Sequence, residues 1–591
     1  MLREYQLTNF KAFAGPETLP IRPITLIYGP NSSGKSSVLQ SLLLLKQTLQ
    51  EAENPEALLL PKGNLVNLGG YREFVHRHDV SKPFSFKVLL DVDKAGKPNP
   101  FGNLVPEQLN LTPLLGLHVT FTYDENTSNV VFSSVELFIG EDLSPAVIYK
   151  PQKQDISEVE LSGFSETILK LDHINYAHRL WQAWWEKFGC QLPENAHNVV
   201  NDIFKALEFN KGRKGWQKKI PTELQAQSKS IKEKLKKLDE PNKQDKLNLE
   251  QQVLQIESLI RFWQHFENLT FEKAIEDLSK SSQDSVLSCR NFLPINSIAT
   301  GAKESSLARG WSLLRTDDPN SLPVKTIAIG GREISGSEIW ELSGMIYKIR
   351  WQPNFSELTL LVCSTFKRFL ESIIYIGPLR DYPERLYILS GNSRQEVGKS
   401  GKMVSDILFR NPELLEQVNE QLERFGLGYE LKVASYTNYE TSELSDVFAL
   451  RLVDKYTGVN VSLLDVGFGI SQVLPIIVQS MLSRNSTLLI EQPEIHIHPR
   501  LQAELGSLLA ECIKSPFENQ FIIETHSEHL MLRLQKLIRK GELKPEDISV
   551  IYVDRGAEGS KCLHLRLDEE GDFIDEWPDG FFEEDFNEIF Q

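Results

Sequence analysis

Nine residues near the start of the chain have the types and spacing needed to hold a polyphosphate. They are Gly29, Pro30, Asn31, Ser32, Ser33, Gly34, Lys35 and Ser36, which fit the pattern G-x-x-x-x-G-K-[ST], and the adjacent Ser37. Glycines let such a loop curl so that its backbone N–H groups face phosphate oxygens, while the lysine reaches the β- and γ-phosphates and the Ser36 hydroxyl binds magnesium. The pattern predicts a site for ATP and Mg²⁺. The alternative is a glycine-rich turn with an exposed lysine.

A metal site of this kind also needs a carboxylate from a second strand. The apolar run Thr487–Ile490 ends in Glu491, which can hold magnesium through water. The alternative for Glu491 is a carboxylate that caps a strand end.

The residues after these two segments resemble a known group of proteins. The stretch E-Q-P-E-I-H-I-H-P, from Glu491 to Pro499, is similar to the E-E-P-E-x-H-L-H-P of ABC-type ATPases related to overcoming-lysogenization-defect (OLD) proteins. More distantly, it resembles the heads of structural-maintenance-of-chromosomes (SMC) and RecF-like proteins. The run Phe521–Ser527 resembles the group's switch segment, a strand ending in T-H-S. The resemblance implies that His526 senses the γ-phosphate.

A third segment resembles the signature loop of ABC-type ATPases. Asp465–Gln472 is glycine-rich and precedes a helix that we expect to begin at Val473. The family loop caps the ATP held by an opposite subunit, which implies a homodimer and places Gly467, Gly469 and Ser471 at the nucleotide. The usual signature serine is here Gly467, so Ser471 or backbone groups would have to meet the γ-phosphate.

The residue after Glu491 departs from the family in a way that affects catalysis. The glutamate that activates water in relatives is Gln492 in this chain. An amide accepts no proton at neutral pH, although it can orient water. We therefore expect slow hydrolysis and a long-lived closed state, with Glu494 or His526 as the substitute base.

Two further resemblances are less specific. The stretch L-T-N-F-K-A-F resembles the start of these heads and implies that Lys11 reaches the nucleotide; the alternative is a simple exposed lysine. The stretches G-P-L-R-D-Y-P, from Gly377, and W-P-D-G, from Trp577, resemble a bacterial subfamily with an uncharacterised C-terminal domain. Several of its relatives accompany anti-phage defence or nuclease modules.

The elements around these motifs predict an α/β fold of the P-loop NTPase class with an ABC-type head. Short apolar runs alternate with helical stretches, which is typical of a largely parallel sheet covered by helices on both faces. Alternating segments between residues 84 and 139 predict an antiparallel β subdomain. We expect the head to comprise residues 1–155 and 369–591, with a helical insertion at 156–368.

Within the insertion, apolar residues at spacings of three and four on either side of Glu240-Pro241 predict a short coiled-coil-like hairpin at 222–267. Ordinary amphipathic helices in a bundle are the alternative.

Residues 205–246 hold thirteen Lys/Arg against six Asp/Glu, a net of +7, whereas 568–588 hold eleven acids and no base. The basic stretch is either a solvated helix face or a surface for DNA or RNA.

Composition limits the remaining functions. No apolar run reaches the ~20 residues that a bilayer requires, and the N-terminus lacks the features of a signal peptide, so a cytoplasmic protein without membrane contact is expected. The five cysteines lie far apart, which favours reduced thiols over a zinc site. The net charge of −17 argues against a surface that binds nucleic acid everywhere.

The main hypothesis is an ATP-gated homodimer or higher oligomer that controls a separate nuclease or toxic effector, in anti-phage defence. The first alternative is a DNA-repair or chromosome-maintenance ATPase that clamps DNA directly. The second is a scaffold that binds ATP without turnover. A nuclease built into the chain is not expected, because eleven of the 22 acids after Glu491 are concentrated in the C-terminal tail at residues 568–588.

Overall fold

The structure is a computed structural model that describes most of the two ends of the chain and parts of the middle. The described residues are 1–54, 57–92, 114–126, 129–140, 144–151, 167–174, 285–290, 293–299, 326–329, 332–335, 355–389, 395–437 and 444–580, with short helical pieces at 225–226, 228–230, 232–234 and 253.

The described strands, in chain order, are β1 (Leu2–Thr8), β2 (Glu17–Pro20), β3 (Ile24–Tyr28), β4 (Phe84–Asp91), β5 (Leu114–Asp124), β6 (Asn129–Ile139), β7 (Val147–Pro151), β8 (Thr167–Ile174), β9 (Ser285–Arg290), β10 (Leu293–Ala299), β11 (Thr326–Ile329), β12 (Arg332–Ser335), β13 (Ile373–Ile376), β14 (Tyr387–Ile388), β15 (Tyr429–Thr437), β16 (Leu444–Asp454), β17 (Asn460–Ser462), β18 (Thr487–Glu491), β19 (Gln520–Glu524), β20 (Ile548–Gly556) and β21 (Gly559–Leu565).

The α-helices with described bounds are α1 (Lys35–Glu51), α2 (Tyr71–Phe74), α3 (Phe355–Ser372), α4 (Val404–Arg410), α5 (Pro412–Arg424), α6 (Phe468–Leu482), α7 (Pro499–Cys512) and α8 (Glu528–Arg539). Among the described residues, no helix combines the length and apolar character that crossing a membrane requires.

A six-stranded sheet positions the motifs. Its order is β13-β18-β19-β3-β20-β21, and every neighbouring pair except β20 and β21 is parallel. The strand that precedes the glycine-rich loop, β3, therefore lies between β19 and β20. Because carboxyl ends of parallel strands meet at one edge, the loop after β3 and the ends of β18 and β19 share that edge.

Helices cover both faces of this sheet, as the alternation of apolar runs and helical stretches predicted. On one face, Ile522 and Ile551 belong to a cluster that includes Leu42 of α1 and Phe366 of α3. On the other face, Ile523 and other strand residues pack with α5, α6, α7 and α8. Side chains alternate between two cores along each strand, which explains why these strands are apolar at nearly every position.

A nine-stranded antiparallel sheet, in the order β10-β9-β8-β7-β6-β5-β4-β1-β2, packs beyond α1 and α3. It contains the predicted antiparallel subdomain and is larger than expected. Residues 156–368 were predicted to be helical, but five described strands, β8 to β12, lie there, and three of them extend this sheet. The prediction is wrong for these stretches. The strands were missed because each is only four to eight residues long and the surrounding sequence is rich in helix-favouring residues.

A further sheet has the order β14-β16-β15, with β17 paired to β16, and its strands precede α6 in the chain.

The predicted hairpin at 222–267 falls almost entirely outside the described residues, as does most of the basic stretch at 205–246.

Candidate functional site

The loop after β3 turns sharply because several of its residues have left-handed backbone angles. Gly29, Ser32 and Gly34 have φ values of 139°, 62° and 110°. A side chain at Gly29 would clash with the Val553 carbonyl oxygen, and one at Gly34 would place its Cβ 2.7 Å from the Cβ of Ala12. Glycine is therefore required at both Gly29 and Gly34, because each position combines a left-handed backbone angle with a close contact that leaves no room for a side chain.

The loop is fixed at its base and exposed at its crest. The hydroxyl of Ser560, in β21, donates a hydrogen bond to the Ser33 carbonyl at 2.5 Å. Pro30, Asn31 and Ser32 are exposed, and Gly34 precedes α1, so the first backbone N–H groups of that helix point toward the loop. This arrangement is an anion site of the kind found at helix N-termini.

Lys35 lies inside the loop. Its ammonium group donates to the carbonyl oxygens of Gly29 at 2.9 Å and Pro30 at 2.8 Å, and the residue is 4% exposed. Burial lowers the pKa of Lys35, and the charges of Glu524 and Glu494 oppose that shift. A buried ammonium held only by carbonyl dipoles and nearby carboxylates is poised to accept an anionic phosphate.

Two buried carboxylates stand side by side at the adjacent strand ends. Glu491 ends β18 and Glu524 ends β19, and the two are direct register partners. The Tyr375 hydroxyl donates to Glu491 at 2.9 Å. Burial, and then the charge of Glu524, raise the pKa of Glu491 to about 7. Sequence reasoning selected Glu491 and missed Glu524, whose position depends on strand register.

Gln492 takes part through its backbone. Its φ is 45°, its N–H donates to the Glu524 carbonyl at 2.8 Å, and its own carbonyl accepts from Arg380 at 3.3 Å. Arg380 also donates to the Glu491 carbonyl at 3.0 Å and is 5% exposed. Burial lowers the pKa of Arg380 to about 10. Arg380 holds the end of the acidic strand, a role that sequence reasoning missed, because the G-P-L-R stretch was noted only as a family resemblance.

Glu494 is occupied by the switch segment. Its carboxylate accepts the Thr525 hydroxyl at 2.7 Å and the backbone N–H of His526 at 2.8 Å. Both oxygens thus fix the segment after β19, which makes Glu494 a positioning residue rather than a ready base. The pKa of His526 is lowered by burial and then by the charge of Lys35, so its imidazole is neutral near pH 7.

Lys11 is near enough to the acidic edge to interact with Glu491. Its φ is 47°, and its ammonium group donates to Gln40 of α1 at 2.5 Å. Burial lowers the pKa of Lys11, and the negative charge of Glu491 only partly opposes that shift. The half-buried lysine is electrostatically coupled to the predicted metal ligand.

The signature-like segment is mostly helical. We expected the helix to begin at Val473, but α6 begins at Phe468 with the exposed Gly467 before it. The Ser471 hydroxyl donates to the Phe468 carbonyl at 2.7 Å within the helix, and a Cβ on Gly469 would lie 3.2 Å from the carbonyl oxygen of His496. The start of α6 thus packs on the loop that follows Glu491, with the backbone of Gly467 open to solvent.

A family model described as an AAA ATPase domain matches residues 1–323 and 391–531. The chain belongs to this family. The ATPase is also matched at residues 543–591 by a model described as a protein of unknown function, DUF3696. That second match covers the Trp577 stretch, which resembled ATPases with an uncharacterised C-terminal domain.

Solved structures similar to the ATPase include two SMC head domains. The head from Pyrococcus furiosus, solved with an extended coiled coil and bound to the C-terminal domain of ScpA, is 11% identical, with 96% of each chain covered and a TM-score of 0.33. The head from Thermotoga maritima is 9% identical, with 96% of this chain and 99% of that chain covered and a TM-score of 0.31. No curated protein matches significantly. At these scores the fold assignment rests on the family match and the sheet order.

Proposed function

We propose that this ATPase binds ATP with Mg²⁺ at the edge formed by the β3 loop and the ends of β18 and β19. The observation that supports the site is the meeting there of Lys35, Ser36, Glu491 and His526, from three segments of the chain. The loop requires glycine at both of its sides, and a buried oxygen of Glu524 has no hydrogen-bond partner among the described residues. Both features fit a metal-bound triphosphate.

In this proposal the loop N–H groups and Lys35 hold the β- and γ-phosphates, while Ser36 and Glu491 hold magnesium. The bound metal would neutralise phosphate charge and draw electrons from the bond that breaks. His526, a neutral imidazole fixed by Glu494, would hydrogen-bond the γ-phosphate from the switch segment. Lys11 would stabilise the same charge from the far side.

Hydrolysis would be slow, because the side chain that follows Glu491 is an amide. Gln492 can orient the attacking water and cannot take its proton. Glu494 is engaged with Thr525 and His526, which leaves His526 as the residue better able to accept a proton. If no turnover can be measured, the ATPase acts as an ATP-bound scaffold.

Closure of two copies would complete each site. Gly467, Gly469 and Ser471 would cap the ATP held by the second copy, since the exposed backbone of Gly467 can meet a phosphate without moving its own helix. We propose that the head, residues 1–155 and 369–591, closes in the cytoplasm on ATP and carries with it the segment 156–368, whose strands β8 to β10 continue the nine-stranded sheet. That motion would gate a separate nuclease or toxic effector in anti-phage defence, driven by tighter ATP binding in the closed state.

The test is equilibrium binding of ATP and Mg²⁺ by the purified wild type, followed by light scattering to measure mass. ATP should double the mass of the wild type, and Lys35→Ala should neither bind ATP nor dimerise. A wild type that retains no ATP would overturn the proposal. Co-purification of a nuclease encoded by a neighbouring gene would support the gating role.

A second function, a clamp on DNA or RNA, is favoured by the net charge of +7 over residues 205–246. Binding through phosphates would weaken steeply as salt rises. Charge reversal of Lys218, Lys219, Lys236 and Lys237 together should then abolish salt-dependent DNA binding and leave ATP binding unchanged. Equal DNA binding by this variant and the wild type would exclude the clamp.

A further inference from the structure

We propose that Glu524 is the second carboxylate of the magnesium site, alongside Glu491. This inference rests on the proposed ATP site and assigns a residue that the resemblance to ABC-type ATPases did not indicate. The two carboxylates would bind the metal together with the Ser36 hydroxyl and phosphate oxygens.

Strand register places Glu524 closer to the loop than Glu491 is. Glu491 and Glu524 are directly opposite in neighbouring parallel strands, so their side chains leave the sheet on the same side. In addition, β19 lies between β18 and β3, and Glu524 is opposite Ile27, two residues before Gly29. Of the two acids, Glu524 is on the strand adjacent to the phosphate-binding loop.

The side chain of Glu524 faces the predicted metal ligand of the loop. Burial raises the pKa of Glu524, and the nearby Ser36 side chain opposes that shift. The residue is 4% exposed, and Oε2 is buried without a hydrogen-bond partner among the described residues. A buried carboxylate oxygen that lacks a partner is costly, and a divalent cation beside Ser36 would satisfy it.

Apart from its attraction to the buried ammonium of Lys35, the Glu524 carboxylate is not used to hold the local backbone. The end of β19 is secured by backbone groups, since the Glu524 carbonyl accepts the Gln492 N–H at 2.8 Å and the Thr525 N–H donates to Ile27 at 3.1 Å. The carboxylate takes no part in either bond.

The number of ligands is appropriate for magnesium. No cluster of three or more His, Cys, Asp or Glu side chains suited to a metal occurs in the described part of the chain. Magnesium at nucleotide sites is typically held by one or two carboxylates together with substrate phosphates and water. A Glu491–Glu524 pair with Ser36 fits that pattern and would not suit a zinc site.

The test compares Glu524→Gln, Glu491→Gln and the surface control Glu542→Gln. A fluorescent ATP analogue is titrated in EDTA and then with increasing Mg²⁺, and direct Mn²⁺ binding is followed by electron paramagnetic resonance. Analogue affinity in EDTA is measured for each variant as its own reference, and Glu542→Gln should match the wild type throughout; the informative variant is Glu524→Gln. Its half-saturating Mg²⁺ and its Mn²⁺ dissociation constant should rise by about tenfold or more, the usual effect of losing a group of a metal site.

Thermal unfolding without ligand separates a metal role from a structural one. Glu524→Gln should melt at or above the wild-type temperature, because it removes a buried charge. Normal analogue binding with unchanged Mg²⁺ and Mn²⁺ dependence in Glu524→Gln would overturn this inference alone. A wild type that binds no analogue in either condition would overturn the proposed function as well.

Discussion

At position 492 the backbone and the side chain have separate tasks. The backbone, at a φ of 45°, joins the end of β18 to Glu524 and to Arg380. These bonds persist whatever side chain is present, so the amide can be exchanged without loss of the acidic edge. Position 492 is therefore a place where catalysis can be altered while the fold is kept.

Gln492→Glu should raise the rate of ATP turnover by about tenfold or more, because it supplies the missing proton acceptor and general bases contribute ~10²–10⁴-fold. Steady-state phosphate release measures the effect. Gln492→Ala is the matched control and should not exceed the wild type. A wild type that turns over faster than Gln492→Glu would contradict slow hydrolysis.

Glu491 should make stability fall as pH rises. Its pKa is about 7 in the folded protein and about 4.3 in an unfolded chain, so the folded state holds the extra proton between these values. The free energy of unfolding should thus decrease from pH 4.5 to 7, by on the order of 3 kcal/mol from this group. Glu491→Gln should lose that part of the slope and exceed the wild type at pH 8.

Denaturant titrations at several pH values, without Mg²⁺, give this slope. Glu542→Gln removes an exposed carboxylate and should keep the wild-type slope. A parallel decline in Glu491→Gln and the wild type would show that other groups control the pH dependence.

At the scale of elements, the β3 loop and α1 form one rigid unit against the sheet. Gly34 begins α1 in a left-handed conformation beside Ala12, so the loop shape and the helix start are set together. A strained residue there would move the phosphate-binding N–H groups as well as the helix.

Gly34→Ala should destabilise the protein by about 1–3 kcal/mol and weaken ATP binding, because a side chain at this φ is strained and meets Ala12. Thermal unfolding and ATP titration measure both effects. The control is Gly15→Ala, where an added Cβ has no atom within 4 Å. Similar behaviour of the two variants would mean that the loop relaxes freely.

Local pattern predicted the strands that hold the site and missed the residues that act across strands. Runs such as Thr487–Glu491 are bounded by turn residues and apolar throughout, so their location is visible in sequence. The role of Glu524 depends on the register between β18 and β19, and the role of Arg380 depends on a loop that returns to the end of β18. Neither feature can be read from a local sequence pattern. The start of α6 was placed too late because Gly467 and Gly469 favour loops when read without their packing.

For the whole molecule, the exposed start of α6 matters most. An added side chain at Gly467 meets no atom within 4 Å, so this glycine is not needed for packing within the described parts of the chain. Its φ of −56° is also open to other residues. Within the described parts of the chain nothing requires glycine at this position, which is consistent with the proposed contact with a second copy.

Gly467→Asp should leave the melting temperature within about 1 °C of the wild type, as expected of a surface change, and should prevent ATP-driven dimerisation. Its charge would repel the γ-phosphate bound to the opposing copy. Light scattering with ATP and Mg²⁺ detects the loss, and Gly15→Asp should dimerise normally. Undiminished dimers in Gly467→Asp would place the contact elsewhere.

The position of β3 has a consequence for biosynthesis. Both of its neighbours, β19 and β20, are translated some five hundred residues after it, and the side chain of Gln520 bonds both backbone groups of Leu2. In a nascent polypeptide, β3 and the lysine loop that follows it therefore lack both neighbouring strands until β19 and β20 have been made. ATP binding at the proposed site would then have to wait for these two later strands.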